Sequence, residues 1–219
     1  MRWNFKRELA RKFVHLLSIF ILFIYFLVSD IFSSKIALII LVLILIIFLE
    51  FEYFRIEIGK KIPVINWISE YLRRRKEKNK LGGDVFFLIG SILVLSIFDI
   101  RVAMAAILMT TFGDLSAALI GSRFGKHPVS FLKNRAWEGI LAELFVDVLI
   151  GIFVFAGMFE FNFAYAISWQ VLAISLIMSL TATLVETLIY KLDDNLFIPI
   201  FAGFNGQILL MILQIYNYI

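Results

Sequence analysis

The chain has 219 residues, of which 62% are hydrophobic, and a mean hydropathy of +0.94; soluble domains lie nearer about 45–50% apolar, so a soluble enzyme is excluded. The formal charge is only +4, and it is the distribution of charge that carries information. With no cysteine, and His15 and His127 as the only histidines, disulfides, thiolate sites and a Cys nucleophile are excluded, which leaves hard, oxygen-ligated, Mg2+-like metal chemistry.

Residues 1–12 are short and basic, with Arg2, Lys6, Arg7, Arg11 and Lys12. The apolar run 13–29 follows without a small-residue cleavage pattern, so it reads as a retained first helix and not as a signal peptide. A second span covers 36–54 and ends with Glu50 and Glu52 among aromatics. Residues 55–81 form the one long hydrophilic segment, rich in Lys and Arg. Within it Pro63 opens a short helix whose Ile65, Ile68 and Leu72 share a face, flanked by Trp67 and Tyr71. That pattern predicts an interfacial helix on anionic headgroups.

Gly82-Gly83-Asp84 leads into a third span, 85–98, with Asp84 at a helix N-terminus, where a carboxylate is electrostatically favoured. The fourth span, 102–121, holds Asp114. Gly113, Ala117, Gly121 and Gly125 recur every four residues and predict a smooth stripe that a neighbouring backbone can approach. A lone charge at the bilayer centre costs about 2.5–3.5 kcal/mol. Asp114 lies about 10 Å, at 1.5 Å per residue, from a helix end expected near Gly121, so it costs less but still needs a partner. Past Gly121 and Gly125, where the helix is expected to break, the chain releases Arg123, Lys126, Lys133 and Arg135.

A fifth span, 137–158, starts with Glu138 and carries Glu143 and Asp147 one turn apart. Acids inside a span point to a polar cavity between helices and away from lipid. The sixth span, 165–190, has Thr183, Glu186 and Thr187 near its end. The acidic turn 191–195 precedes a seventh span, 196–215. The expectation is an all-α, polytopic transmembrane helical bundle of about seven spans, in one integral membrane domain over 1–219. Repeated helix-length apolar runs do not have the alternation of a β-barrel.

Of the 21 Lys and Arg, all but Lys35 and Arg101 fall on one side of such a bundle. The positive-inside rule then puts the N-terminus in the cytoplasm and the C-terminus outside. Residues 6–15, 82–84, 113–139 and 191–199 gather at the cytoplasmic face. There a carboxylate at the membrane edge meets a glycine-punctuated basic loop, 121–139, which suits a metal-bound polyphosphate.

The segments RELARKFVHLL (7–17), GGD (82–84), GDLSAALIGSRFGKHP (113–128), KNRAWEG (133–139) and DDNLFIPIFAG (193–203) occur in that order. Together they resemble the CTP-dependent polyprenol kinase group, which contains dolichol kinases, phytol kinases and CTP-dependent diacylglycerol kinases and is related to phosphatidate cytidylyltransferases. The Asp193-Asp194-Asn195-Leu196 run and Pro199 resemble the kinases; cytidylyltransferases end instead in an Asp-Arg-x-Asp-Ser signature. The family usually shows Lys-Ser or Lys-Thr where this chain has Arg135-Ala136. Arg keeps the charge and adds a bidentate fork, while Ala136 lacks the hydroxyl.

The resemblance implies transfer of the γ-phosphoryl of CTP to a membrane isoprenoid alcohol of dolichol, polyprenol, geranylgeraniol or phytol type. It implies Mg2+ on Asp114 with Asp84 or Asp194. Arg123, Lys126, Lys133 and Arg135, helped by backbone N–H groups around Gly125, would bind the triphosphate. Asp194 or Asp84 would accept the alcohol's proton. Glu138 would orient Arg135 or Lys126, and Lys12 and His15 face the same edge in a minor role. The partners implied are CTP, a lipid alcohol and membrane lipids, with no nucleic acid; nothing in the sequence requires an oligomer. One rival is a cytidylyltransferase, which would release pyrophosphate where the kinase releases CDP. Another is an ion-coupled transporter running through Asp114, Glu143, Asp147 and Glu186. Against transport, the acids cluster toward one face and no internal repeat is visible.

Overall fold

The computed structural model describes residues 19–57, 80–129, 135–157, 168–188 and 193–213. Among them are seven α-helices and no strand: α1 (Ile19–Ile31), α2 (Ser34–Glu57), α3 (Gly83–Ile97), α4 (Ile100–Phe124), α5 (Trp137–Phe155), α6 (Trp169–Leu188) and α7 (Asp194–Ile212). They fall on the predicted apolar segments in order. Four of them, α2, α4, α6 and α7, are long and apolar enough to cross a membrane, while α1 and α3 are shorter apolar helices. The 19-residue α5 carries Glu138, Glu143 and Asp147. The basic stretch 1–12 and most of the predicted interfacial segment, including Pro63 and Arg73, lie outside the described residues, as do His15 and Lys133.

The chain packs as two compact units, residues 1–92 and 93–219, and α3 runs across the boundary. In the first unit α1 packs on α2, with Leu22 and Tyr25 buried on α1 and Ala37 and Leu41 on α2, while Phe20, Phe23, Ile39 and Ile47 face outward. α2 continues to Glu57, past the predicted end at Phe54. The reason is Arg55, which belongs to the helix and not to the solvated segment. Its Nε donates to Glu52 Oε1 at 2.9 Å and its Nη2 to Glu52 Oε2 at 2.7 Å, and both side chains are buried. Arg55 Nη2 also reaches the carbonyl of Lys80 at 2.7 Å, and Gly82 N donates to Glu52 Oε2 at 3.0 Å. The pair therefore grips the backbone just ahead of Gly83-Asp84. Gly82 O in turn accepts from the N–H groups of Val85 and Phe86, which starts α3.

In the second unit α4 is the central helix, buried without interruption from Val102 to Thr111. Asp99 caps its N-terminus by accepting from Arg101 N at 3.0 Å. Asp99 N donates to Gln207 Oε1 of α7 at 2.8 Å, so α7 is tied to that end of α4.

The small-residue stripe of α4 is covered by α5 in antiparallel register. A Cβ on Gly113 would come within 2.5 Å of Asp147 Oδ1, and one on Gly139 within 2.9 Å of Ala117 O and 3.2 Å of Gly121 Cα. At the end of the stripe Gly125 meets the Cβ of Ala136. Gly121 therefore does not break the helix as expected. It lies inside α4, as a point of close approach, and the helix runs on to Phe124. Gly125 ends it, its N–H bonding Gly121 O at 3.2 Å.

Helices α5 and α6 bury polar residues and expose large apolar ones. On α5, Gly139, Glu143, Asp147 and Gly151 are buried at four-residue spacing, with Leu141, Phe145, Leu149 and Phe153 exposed opposite. On α6, Ser175, Ser179, Thr183 and Glu186 are buried, with Leu172, Leu176, Leu180, Leu184 and Leu188 exposed. That inversion is what a lipid surround selects: apolar side chains have no reason to hide from it, and polar ones do.

Candidate functional site

Arg135 joins the basic loop to the buried acids. It stands just ahead of α5 and places Nη1 2.8 Å from Glu186 Oε1 on α6 and 3.9 Å from Glu143 Oε2 on α5. Burial works against its charge, but the carboxylates of Glu186 and Glu143, the hydrogen bond to Glu186 and the charge on Asp114 outweigh that, and its pKa is raised above the ordinary arginine value. About a quarter of the side chain, 26%, stays exposed. A guanidinium has five N–H donors, so pairing with Glu186 leaves others available.

The loop that delivers Arg135 closes at its stem. Val129 N donates to Arg135 O and Trp137 N to His127 O, each at 3.0 Å, and Pro128 and Ala136 form an isolated antiparallel bridge. Glu138, in the first turn of α5, completes the closure. Its Oε1 accepts from Lys126 N at 3.0 Å and His127 N at 3.2 Å, and pairs with His127 Nδ1 at 2.6 Å. Glu138 thus engages Lys126, one of the two expected targets, through its backbone N–H, while Arg135 pairs with other acids, Glu186 and Glu143. These bonds also occupy the backbone N–H groups expected to receive phosphate: Gly125 N is held by Gly121 O, and those of Lys126 and His127 by Glu138.

Asp114 is half-buried on α4, and its charge acts on both Arg135 and Asp147. Thr110 and Thr111, one turn earlier, bond back to the carbonyls of Ala106 and Ile107. Arg123 is in the last turn of α4, exposed, with its guanidinium 5.6 Å from the Phe124 ring centroid. Because α4 extends past Gly121, Arg123 is nine residues, or about 14 Å along the axis, from Asp114. Lys126 is exposed in the loop.

Asp194 occupies the first turn of α7, where its Oδ1 accepts from Asn195 N at 3.1 Å; the preceding Asp193 caps the helix through Asn195 N and Nδ2. Asp84 is half-buried in the first turn of α3, in the first unit. The described part of the second unit therefore brings Arg135 together with Asp114 and adds three acids that the motif reading left out of the site: Glu143, Asp147 and Glu186. Their signal in the sequence was the four-residue polar ladder lying opposite a leucine or phenylalanine ladder.

Glu143 and Asp147 are 1% and 0% exposed. Glu143 Oε2 and both Asp147 oxygens have no hydrogen-bond partner, and neither do the buried hydroxyls of Ser175, Thr183 and Thr187. Oxygens of this kind suit a hard cation. Among the described residues, however, no three Asp, Glu or His side chains stand together at metal-ligand spacing. Any ion here takes few protein ligands and completes its shell from water or substrate, as Mg2+ commonly does.

No protein-family model matches the chain, and no solved structure matches it. Named relatives do. A Schizosaccharomyces pombe protein named CTP-dependent diacylglycerol kinase 1 is 29% identical over 136 residues, covering 60% of this chain and 62% of that one. A Triticum aestivum protein named probable phytol kinase, chloroplastic, is 25% identical over 138 residues, covering 61% of this chain and 46% of that one. A Methanocaldococcus jannaschii protein without an assigned activity is 28% identical over 152 residues, covering 67% and 69%. The first two names fall within the group that the sequence motifs resemble. The chain spans between about half and three-fifths of the length of those two relatives.

Proposed function

We propose that this membrane protein, a relative of CTP-dependent diacylglycerol kinases and phytol kinases, is itself a CTP-dependent lipid kinase that transfers the γ-phosphoryl of CTP to a membrane lipid alcohol. The observation that carries the reading is Arg135, anchored at 2.8 Å to Glu186 while about a quarter of its side chain stays exposed. Phosphoryl transfer needs in-line positioning and charge neutralisation more than covalent chemistry. A guanidinium fixed in place costs no reorganisation when phosphate arrives.

In this reading Arg135, Arg123, Lys126 and Lys133 hold the triphosphate through their side chains. Glu138 closes the stem of the loop that carries Lys126. Asp114 lies on the acid side, with Asp194 and, from the sequence motif alone, Asp84 as the further candidates for metal binding or for accepting the alcohol's proton. The unpartnered oxygens beside Asp114 fit a Mg2+ ion, which when bound would neutralise phosphate charge. The nucleotide site faces the cytoplasm, following the distribution of Lys and Arg. The acceptor is an isoprenoid alcohol that enters sideways between helices with its hydroxyl at that edge, and diacylglycerol is the comparison substrate. CTP and membrane lipids are the partners.

Product analysis tests the reading. Purified protein in detergent, given CTP, Mg2+ and geranylgeraniol, a polyprenol or diacylglycerol, should yield CDP and a lipid monophosphate. With phosphatidic acid supplied in place of the alcohol, pyrophosphate and a CDP-lipid would establish a cytidylyltransferase instead.

A further inference from the structure

Every buried side-chain atom left without a hydrogen bond among the described residues is an oxygen on α5 or α6: Glu143 Oε2, Asp147 Oδ1 and Oδ2, Ser175 Oγ, Thr183 Oγ1 and Thr187 Oγ1. The two helices are antiparallel neighbours. Arg135 Nη1 lies 2.8 Å from Glu186 Oε1 and 3.9 Å from Glu143 Oε2, which sets those turns level, and Gly151 meets Ser175 further along. Asp147 is four residues beyond Glu143, and Thr183 is three residues before Glu186. They therefore come level one turn deeper. Arg135 forms no bond to Asp147. A carboxylate that is fully buried with both oxygens unmet is strongly disfavoured unless something neutralises it.

The fold makes room for that carboxylate. A Cβ at Gly113 on α4 would come within 2.5 Å of Asp147 Oδ1 and 3.1 Å of Oδ2. The glycine thus leaves a recess where any other residue would intrude.

We propose that Asp147 and Glu143 hold a divalent cation in the α5–α6 seam, with the hydroxyl of Thr183 beside it, and that the protein takes up this ion without nucleotide. The ligand set is all oxygen, which selects Mg2+ or Mn2+ over softer metals. Two carboxylates suffice, because Mg2+ retains water and accepts phosphate oxygens in its remaining positions. The role of the ion in phosphoryl transfer rests on the kinase reading; its binding does not.

The test is a Mn2+ titration followed by electron paramagnetic resonance, on the full chain in detergent with no CTP and no lipid alcohol. Wild type should bind one Mn2+ per chain, displaceable by Mg2+. Asp147→Asn should weaken binding at least about tenfold, and so should Gly113→Ala, which fills the recess but keeps both carboxylates. If Asp147→Asn does not fold, the wild-type stoichiometry and Gly113→Ala decide. No Mn2+ bound by wild type without CTP, or binding indifferent to both substitutions, would overturn the proposal. Phosphoryl transfer measured on the same preparation separates the two ideas. Mn2+ binding without transfer removes the kinase and keeps the site. Transfer without nucleotide-free Mn2+ binding removes the site and keeps the kinase.

Discussion

Arg135 leaves the basic loop and places Nη1 2.8 Å from Glu186 Oε1, a carboxylate 51 residues further along the chain on α6. One guanidinium thereby ties the loop after α4 to the buried acids of α5 and α6. Arg135→Met should lower lipid-phosphate formation by about 100-fold or more, the effect of losing a fixed donor to transferring phosphate. It should also destabilise the fold, by at most about 3–5 kcal/mol, because the buried Glu186 loses its cationic partner. Arg135→Lys, which keeps the charge but loses the fork, should fall between. Initial rates and thermal unfolding in detergent check both effects. A melt that falls while the rate per folded molecule is unchanged would make Arg135 a structural residue only.

In the kinase reading Glu138 acts at one remove from the phosphate. Its carboxylate holds Lys126 N, His127 N and His127 Nδ1. Glu138→Ala should loosen the loop stem and raise KM for CTP by about 10- to 100-fold, with a smaller change in kcat. Saturation kinetics in CTP provide the check. An equal loss in kcat at unchanged KM would place Glu138 in the chemical step.

Ala136 is the N-cap of α5, extended at φ −120° and ψ 147°, with no side-chain cap bond. The related kinases usually have Ser or Thr here, so the hydroxyl missing from this chain has a ready structural use. Ala136→Ser should stabilise the protein by about 1 kcal/mol. A rise in thermal midpoint with CTP turnover kept would bear this out. A fall would show that the contact between Ala136 Cβ and Gly125 leaves no room for a hydroxyl.

In the first unit, Glu52 and Arg55 hold each other and the backbone at Lys80 and Gly82. Glu52→Ala should cost about 3–5 kcal/mol, since it removes the carboxylate that neutralises a buried guanidinium. Replacing both residues by Leu should cost much less than the two single changes added together. Denaturation of the single and double variants measures the coupling; simple additivity would contradict the clamp.

How far the sequence carried this picture depended on which interactions follow from spacing. The helices were legible as apolar runs, and the stripe Gly113, Ala117, Gly121, Gly125 was legible as a docking face, because four-residue spacing translates directly into one side of a helix. The same spacing misled at Gly121. Glycine marks both helix ends and close helix contacts, and only the position of Gly139 opposite it distinguishes them. Arg55 reads from the sequence as the start of the hydrophilic segment 55–81, because its partner Glu52 reveals itself only when both are placed on the buried side of α2. The acids Glu143 and Glu186 were visible one by one. That a single arginine brings them together depends on how α5 and α6 pack, which no local pattern contains. The backbone N–H groups near Gly125 looked free for phosphate, and the structure shows Gly121 O and Glu138 already using them.

The central claim is that this polar end of the bundle moves the γ-phosphoryl of CTP onto a lipid alcohol. The most direct measurement supplies γ-phosphate-labelled CTP, Mg2+ and a panel of isoprenoid alcohols and diacylglycerol to the purified wild-type protein and to Asp114→Asn. The account predicts label in a lipid monophosphate with wild type, and loss of at least about 100-fold of that rate with Asp114→Asn. No labelled lipid with any alcohol of the panel, or a rate unchanged by Asp114→Asn, would contradict it.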